Sequence, residues 1–203
     1  MPKTICLALT GASGMPYGIR LLECLLGAGC HVQLLYSQVA QVVARQEMAL
    51  ELPARAQEAQ VFFRERFSGL PGTLDVYGRE EWFSPVASGS NPPDAMVVCP
   101  CTMGTLAAIA QGLADNLIQR AADVALKERR PLILVPRETP FSSIHLENML
   151  RLSQAGAVIL PPNPGFYNHP KSVQDVVDFV VARILDHLGV AHALMQRWGA
   201  SAE

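Results

Sequence analysis

Short, nearly unbroken apolar runs alternate along the chain with segments whose apolar residues recur every three or four positions. The runs are Thr4–Leu9, His31–Tyr36, Ala95–Cys99, Leu132–Val135 and Ala157–Leu160. Runs without a polar face predict strands of a sheet covered on both sides. Ile19, Leu22, Leu25 and Leu26 mark one helix, and Leu117, Ile118, Ala121, Ala122, Ala125 and Leu126 mark another. The longest stripe is Val173, Val176, Val177, Val180, Val181, Ile184, Leu185 and Leu188. Ser172 stands just before it and Asp175 three positions later, which predicts a capping box. Strand–helix alternation of this kind predicts a doubly wound α/β sheet.

Residues 50–90 break the rhythm. Gln57–Phe67 suits a helix and Thr73–Tyr77 a short strand, but Ser84–Pro93 is rich in Ser, Gly, Asn and Pro. No linker separates two cores, so residues 1–203 read as a single domain with a loop-rich excursion near 50–90. A tail from Ala191 carries His192, Arg197 and Trp198. With 203 residues, 50% of them hydrophobic and 17% charged, the chain can bury roughly 70% of its unfolded surface without a staple.

Sixteen Lys and Arg stand against eighteen Asp and Glu, a net charge of −2. No broad basic face follows, so neither nucleic acid nor a membrane is an expected partner. The longest apolar runs fall well short of the ~18 residues of a membrane helix. Ile5–Leu9 is also too short for a secretory core, so the cytoplasm is the expected compartment. The five cysteines are an odd number in apolar surroundings, and Cys99-Pro100-Cys101 lacks the spacing of a metal knuckle. They read as reduced, partly buried thiols, and no metal site is expected.

Ligands of an open parallel sheet bind beyond the C-terminal strand ends. Thr10-Gly11-Ala12-Ser13-Gly14 follows the first strand, Ser37 the second, and Pro100-Cys101-Thr102-Met103-Gly104-Thr105 the strand ending at Cys99. Pro136-Arg137-Glu138-Thr139-Pro140 follows Val135, with Thr139 a candidate N-cap and Pro140 a candidate first helical residue. Pro161-Pro162-Asn163-Pro164-Gly165-Phe166-Tyr167 follows Leu160. Each loop alone fits an ordinary turn. Together they deliver polar and small residues to one rim, which suits a phosphate-bearing nucleotide or flavin.

The charged residues leave two readings open. Arg120, Asp123 and Lys127 fall on one helical stripe, either a solvated face or a phosphate site. Arg183, amid valines, either snorkels or binds an anion. Several such cations on the rim would suit two phosphate groups. Glu138 beside Arg137 is a candidate acid or base, and Glu47 is a second carboxylate that could equally be a solvated helix residue. Trp82 and Trp198 could cover a flavin or stabilise a carbocation, or simply pack.

The chain resembles the flavin prenyltransferases, the UbiX/Pad family, over essentially its whole length. The resemblance rests on Leu9-Thr10-Gly11-Ala12-Ser13-Gly14 with Tyr17-Gly18, and on Arg120-Ala121-Ala122-Asp123-Val124 followed by Leu126-Lys127-Glu128-Arg129-Arg130-Pro131-Leu132. It continues in Arg137-Glu138-Thr139-Pro140, Gly156-Ala157-Val158-Ile159-Leu160-Pro161-Pro162 and Phe166-Tyr167. It implies a Rossmann-like, three-layer α/β/α flavoprotein with a mostly parallel sheet, assembled as a homododecamer with sites between protomers.

The implied reaction joins the dimethylallyl group of dimethylallyl monophosphate to reduced FMN at N5 and C6, without metal. The product serves UbiD-type decarboxylases, here in ubiquinone biosynthesis. By this resemblance FMN contacts fall on Gly11, Ala12, Ser13, Ser37, Thr102, Met103, Gly104, Thr105 and Arg137. Tyr167 and Arg183 would hold the prenyl phosphate, with Lys127 and Arg120 helping. Ser13 would lie near N5, Glu138 would move protons, and Glu47, Trp82 and Trp198 would join the catalytic set. The chain departs from its relatives in Leu52–Gly72 and in Cys101-Thr102-Met103-Gly104.

Three alternatives compete. A flavin-dependent cysteine decarboxylase shares the broad fold but needs an Asn that the loop at Pro100–Thr105 lacks. A short-chain dehydrogenase needs Tyr and Lys one helical turn apart; Tyr167 and Lys171 have that spacing, but Pro170 opposes a continuous helix there. A flavin-binding protein without catalysis is the third.

Overall fold

The computed structural model describes residues 2–195. In β1 (Thr4–Leu9) Ile5, Leu7 and Leu9 enter one hydrophobic cluster while Cys6 and Ala8 enter another, and none of the five is exposed. This is why the run has no polar face: successive side chains point to opposite sides of a strand, and both sides here are covered.

The chain continues through α1 (Met15–Gly27), β2 (His31–Tyr36), α2 (Gln38–Met48), α3 (Ala56–Arg66), β3 (Thr73–Val76) and β4 (Ala95–Cys101). It closes with α4 (Met103–Ala110), α5 (Leu117–Lys127), β5 (Leu132–Pro136), α6 (Ser143–Gln154), β6 (Val158–Ile159) and α7 (Val173–Leu188). The strands form one six-stranded sheet in the order β3-β2-β1-β4-β5-β6, every pair parallel. Residues of α1, α2, α3 and α7 pack on one face; those of α4, α5 and α6 pack on the other. The expected three-layer architecture is present, and the sheet is wholly rather than mostly parallel.

Several boundaries differ from the sequence expectation; β4, for one, runs on to Cys101 rather than ending at Cys99. The excursion keeps more of the alternation than its composition suggests, because β3 pairs with β2 as an edge strand and the loop-rich part is confined to residues 77–94. That loop runs down beside α5, with Arg79 accepting from the Leu117 N–H and Ala87 accepting from Arg120. The last strand shrinks to Val158–Ile159.

Thr139 and Pro140 do not open a helix. α6 begins at Ser143 with Ser142 as its cap, whose Oγ accepts from the His145 N–H while His145 Nδ1 accepts from the Ser142 N–H. That reciprocal pair satisfies two helix-end donors at once. A Thr139 cap would have needed the Ser142 N–H, which His145 already takes. The Ser172–Asp175 capping box of α7 is formed as expected. All five cysteines are unpaired thiols; burial pushes Cys6 and Cys101 up to about 12, leaving them protonated and unreactive.

Candidate active site

The strand order reverses direction between β1 and β4, and an open α/β sheet offers its ligand crevice at such a switch point. Two of the loops singled out in the sequence flank it. Thr10, 1% exposed, stitches them together: its Oγ1 donates to the Pro100 carbonyl at 2.8 Å and accepts from the Thr102 N–H at 2.8 Å. No role was expected of Thr10. A small hydroxyl residue ending a buried strand just before glycine is the signal that could have found it.

Thr102 caps α4, its Oγ1 accepting from the Thr105 N–H (3.0 Å) and donating to Thr105 Oγ1 (2.9 Å). Met103 is buried, and a Cβ at Gly104 would meet only open space. Ser37 caps α2 through the Ala40 N–H, and its own N–H donates to the Leu9 carbonyl. These hydroxyls therefore fix the rim as well as facing it.

The first loop corrects a simple expectation. Gly14 and Met15, at the start of α1, donate their N–H groups to the Glu47 carboxylate at 2.9–3.2 Å. Glu47 is thus exposed on α2 yet engaged; its carboxylate already occupies the positive end of α1. A ligand phosphate cannot share those two donors. The N–H groups of Ala12 and Ser13 have no partner among the described residues, so they remain able to meet a ligand. Gly11 answers a packing need, since a Cβ there would lie 2.4 Å from Val39 Cγ1 of α2.

Arg137 and Glu138 leave the C-terminal end of β5, both half-buried, and line a cavity of about 270 Å³ with Phe141 and Asn163. They form no ion pair with each other. Glu138 Oε1 accepts from the Thr139 N–H, whereas Arg137 Nε is buried without a partner among the described residues. An unsatisfied buried donor costs about 1–3 kcal/mol, and a guanidinium held this way fits an anionic ligand. The rim therefore suits a phosphate-bearing flavin.

The sequence left open whether the cations face this rim, and within one chain Lys127 does not lie beside Arg137. Lys127 ends α5, which feeds the N-terminal end of β5, while Arg137 leaves the other end; five strand residues at roughly 3.3 Å each separate them. Lys127 pairs with Glu128 there. Arg120, on the same helix, donates to Asp123 (2.8 Å) and to the Ala87 carbonyl (3.0 Å).

α7 also ends at the N-terminal edge of the sheet, where the Leu188 carbonyl accepts from Lys3 Nζ at 2.6 Å. Val176, Phe179 and Arg183 follow at helical spacing down this helix. Tyr167 sits in a single 3-10 turn (Phe166–Asn168) with its ring edge-on to Phe179 at 5.8 Å. Tyr167, Phe179, Leu194 and Met195 share a cavity of about 350 Å³. The turn stops at His169, so Tyr167 and Lys171 share no helix and the dehydrogenase pattern is absent. Trp82 is 43% exposed in the loop between β3 and β4, beside the fully exposed Phe83. Trp198 lies outside the described residues.

Among the described residues no helix is long and apolar enough to cross a membrane, and no group of three or more His, Cys, Asp or Glu could hold a metal ion. The Flavoprotein family model matches residues 1–185. The flavin prenyltransferase UbiX of Pseudomonas aeruginosa is 58% identical over 198 residues, covering 98% of this chain and 95% of the relative. A crystal structure of AnUbiX in complex with FMN and dimethylallyl pyrophosphate superposes with a TM-score of 0.87 at 39% identity, covering 100% of both chains. A dodecameric FMN-dependent UbiX-like decarboxylase from Escherichia coli O157:H7 superposes at 0.84 with 40% identity, covering 97% of this chain and 100% of that one. With its glycine and threonine loops meeting at the switch point and likeness running from end to end, the chain belongs to the Flavoprotein family and, within it, to the flavin prenyltransferases.

Proposed function

We propose that the protein transfers a dimethylallyl group from a dimethylallyl phosphate ester, the monophosphate by our sequence reading, to reduced FMN at N5 and C6. The prenylated flavin would pass to a UbiD-type decarboxylase in ubiquinone biosynthesis. The observation that carries the reading is the buried Arg137 Nε, without a partner among the described residues, at the rim beside Glu138.

Gly11, Ala12, Ser13, Ser37, Thr102, Met103, Gly104, Thr105 and Arg137 form the flavin-binding edge in this reading. Reduced FMN supplies the nucleophilic positions and a π-face; the protein supplies positioning, charge and dryness. Arg120, Lys127 and Arg183 would stabilise negative charge developing on the departing phosphate, with Tyr167 as a hydroxyl partner. Ser13 would hold the N5 edge. Glu138 would move the protons released as bonds form at N5 and C6. Glu47 would act through the α1 start that it grips, and Trp82 and Trp198 would cover the site.

The run of α5 and α7 toward the opposite edge of the sheet from Arg137 supports a site in which Lys127 and Arg183 come from a different protomer. Each active site would be completed by neighbouring copies in a homo-oligomer, with twelve copies as the expected assembly. Anaerobic incubation with reduced FMN and dimethylallyl monophosphate is expected to give a flavin heavier by one C5 unit on mass spectrometry. Unmodified FMN after tight flavin binding would leave a flavin-binding protein without this chemistry.

A further inference from the structure

Nothing above gives Asp186 a role, yet it joins two parts of the molecule. On α7 it stands three residues after Arg183, and its Oδ2 accepts from Arg183 NH1 at 2.7 Å. Its Oδ1 faces His192 Nε2 at 3.1 Å, in the segment beyond the end of α7. The carboxylate can only accept, so Nε2 carries a proton. The other ring nitrogen, Nδ1, accepts from the Leu194 N–H at 3.4 Å. Each nitrogen thus has one job, which fixes the tautomer. The side chain of His192 is only 9% exposed. Leu194 in turn lines the cavity that holds Tyr167 and Phe179.

A chain of contacts therefore runs from the Arg183 guanidinium through Asp186 and His192 to the backbone of the segment closing the Tyr167 cavity. A lone i,i+3 ion pair on a helix surface would deserve little weight. Here the same carboxylate is held on its second oxygen by a largely buried imidazole, so it has a fixed orientation to impose. Arg183 offers five N–H donors and one contact through NH1 leaves others available to a phosphate.

We propose that Asp186 is a positioning residue, and that with His192 it aims Arg183 at the prenyl phosphate and couples that aim to the seating of residues 192–194. The inference rests on the reading of Arg183 as a prenyl-phosphate ligand. Disordering the guanidinium weakens binding of the phosphate ester without touching the flavin edge. Asp186→Asn should accordingly raise KM for dimethylallyl monophosphate roughly 3–10-fold while kcat and FMN affinity hold. His192→Ala should shift KM the same way, and His192→Gln, whose amide can still donate to Asp186, should recover part of the loss.

The deciding measurement is a double-mutant cycle in the intact oligomer, with FMN titrated in parallel. If Asp186 works through Arg183, Asp186→Asn changes nothing further on an Arg183→Ala background. An equal added loss on that background would overturn the proposal, because the carboxylate would be acting elsewhere. Wild-type KM in Asp186→Asn, with Arg183→Ala impaired, would overturn it while leaving the functional reading intact. Wild-type KM in Arg183→Ala would overturn both.

Discussion

The crevice between β1 and β4 and the outer faces of α5 and α7 are built in opposite ways. At the crevice, Thr10, Thr102 and Ser37 spend their hydroxyls and N–H groups on one another, on strand carbonyls and on the starts of α2 and α4, so the loops are locked before any ligand arrives. On the outer faces, Arg120, Lys127 and Arg183 sit in ion pairs with side chains 27–49% exposed. Exposed pairs contribute little to stability, so the weight of these cations would lie in the remaining donors that they can offer a ligand. The difference is that the crevice loops are tied together within one chain, whereas in the proposed function the cations wait on surfaces that another copy would cover.

The largest expected effect tests the crevice. Glu138→Gln keeps the shape of the side chain and its ability to accept from the Thr139 N–H, but removes the titratable proton. FMN should bind as before while the prenylated flavin forms at least ~100-fold more slowly, the scale of a lost general acid–base. Rapid anaerobic quenching with mass spectrometry reads this. A wild-type rate would remove Glu138 from proton transfer and leave the departing phosphate to carry it.

The next prediction tests the division itself. Arg137→Ala and Lys127→Ala should each be nearly inactive alone. If every site takes its rim from one copy and its lysine from another, oligomers reassembled from an equal mixture contain some intact sites. Random mixing gives about a quarter of wild-type activity, since half the rims and half the lysines are intact. No recovery after verified subunit exchange would mean that both residues serve from one chain, and the comparison drawn above would break.

How much of this was legible in the sequence follows from the range of the interactions. β1 and its neighbours were readable because burial on both faces leaves an unbroken apolar run. The α7 cap was readable because Ser172 and Asp175 are three residues apart. The start of α6 was misread because two local caps competed, and the Ser142–His145 pair satisfied more donors than Thr139 could. Glu47 was unreadable as the cap of α1, since it reaches across 32–33 residues from a different helix. The placement of the cations stayed open for another reason. Helical spacing says that Arg120 and Lys127 share a stripe, but not which end of the sheet the stripe approaches.

Glu47 supplies a smaller effect on the crevice side. Glu47→Ala strips the carboxylate from the Gly14 and Met15 N–H groups and should cost about 1 kcal/mol of stability. Glu47→Gln, which can still accept, should recover part of it. Denaturant midpoints with an unchanged slope would report this as stability alone. An alanine variant as stable as the wild type would show that the α1 start does not depend on this carboxylate, leaving Glu47 with a role only in turnover.

The smallest effect concerns the start of α7, which carries the outer patch. Asp175 Oδ2 accepts from the Lys171 N–H at 2.7 Å and the Ser172 N–H at 3.0 Å, while Ser172 Oγ accepts in return from the Asp175 N–H. The Lys171 N–H, foremost among these contacts, holds the Asp175 carboxyl below the usual range. A carboxyl depressed in the folded state stabilises fully above its unfolded value and loses that contribution as pH falls through the folded one. The Tm gap between wild type and Asp175→Asn should therefore stay constant from neutral pH down to about pH 4 and narrow below it. Other carboxylates titrate in both proteins and cancel in the difference. The crevice has no such dependence on Asp175, so FMN affinity should not follow the gap. A gap that persists undiminished as pH falls through the acid range in which the depressed carboxyl takes up its proton would show that the aspartate supports α7 through shape rather than charge, and would remove acid sensitivity as a difference between the two regions.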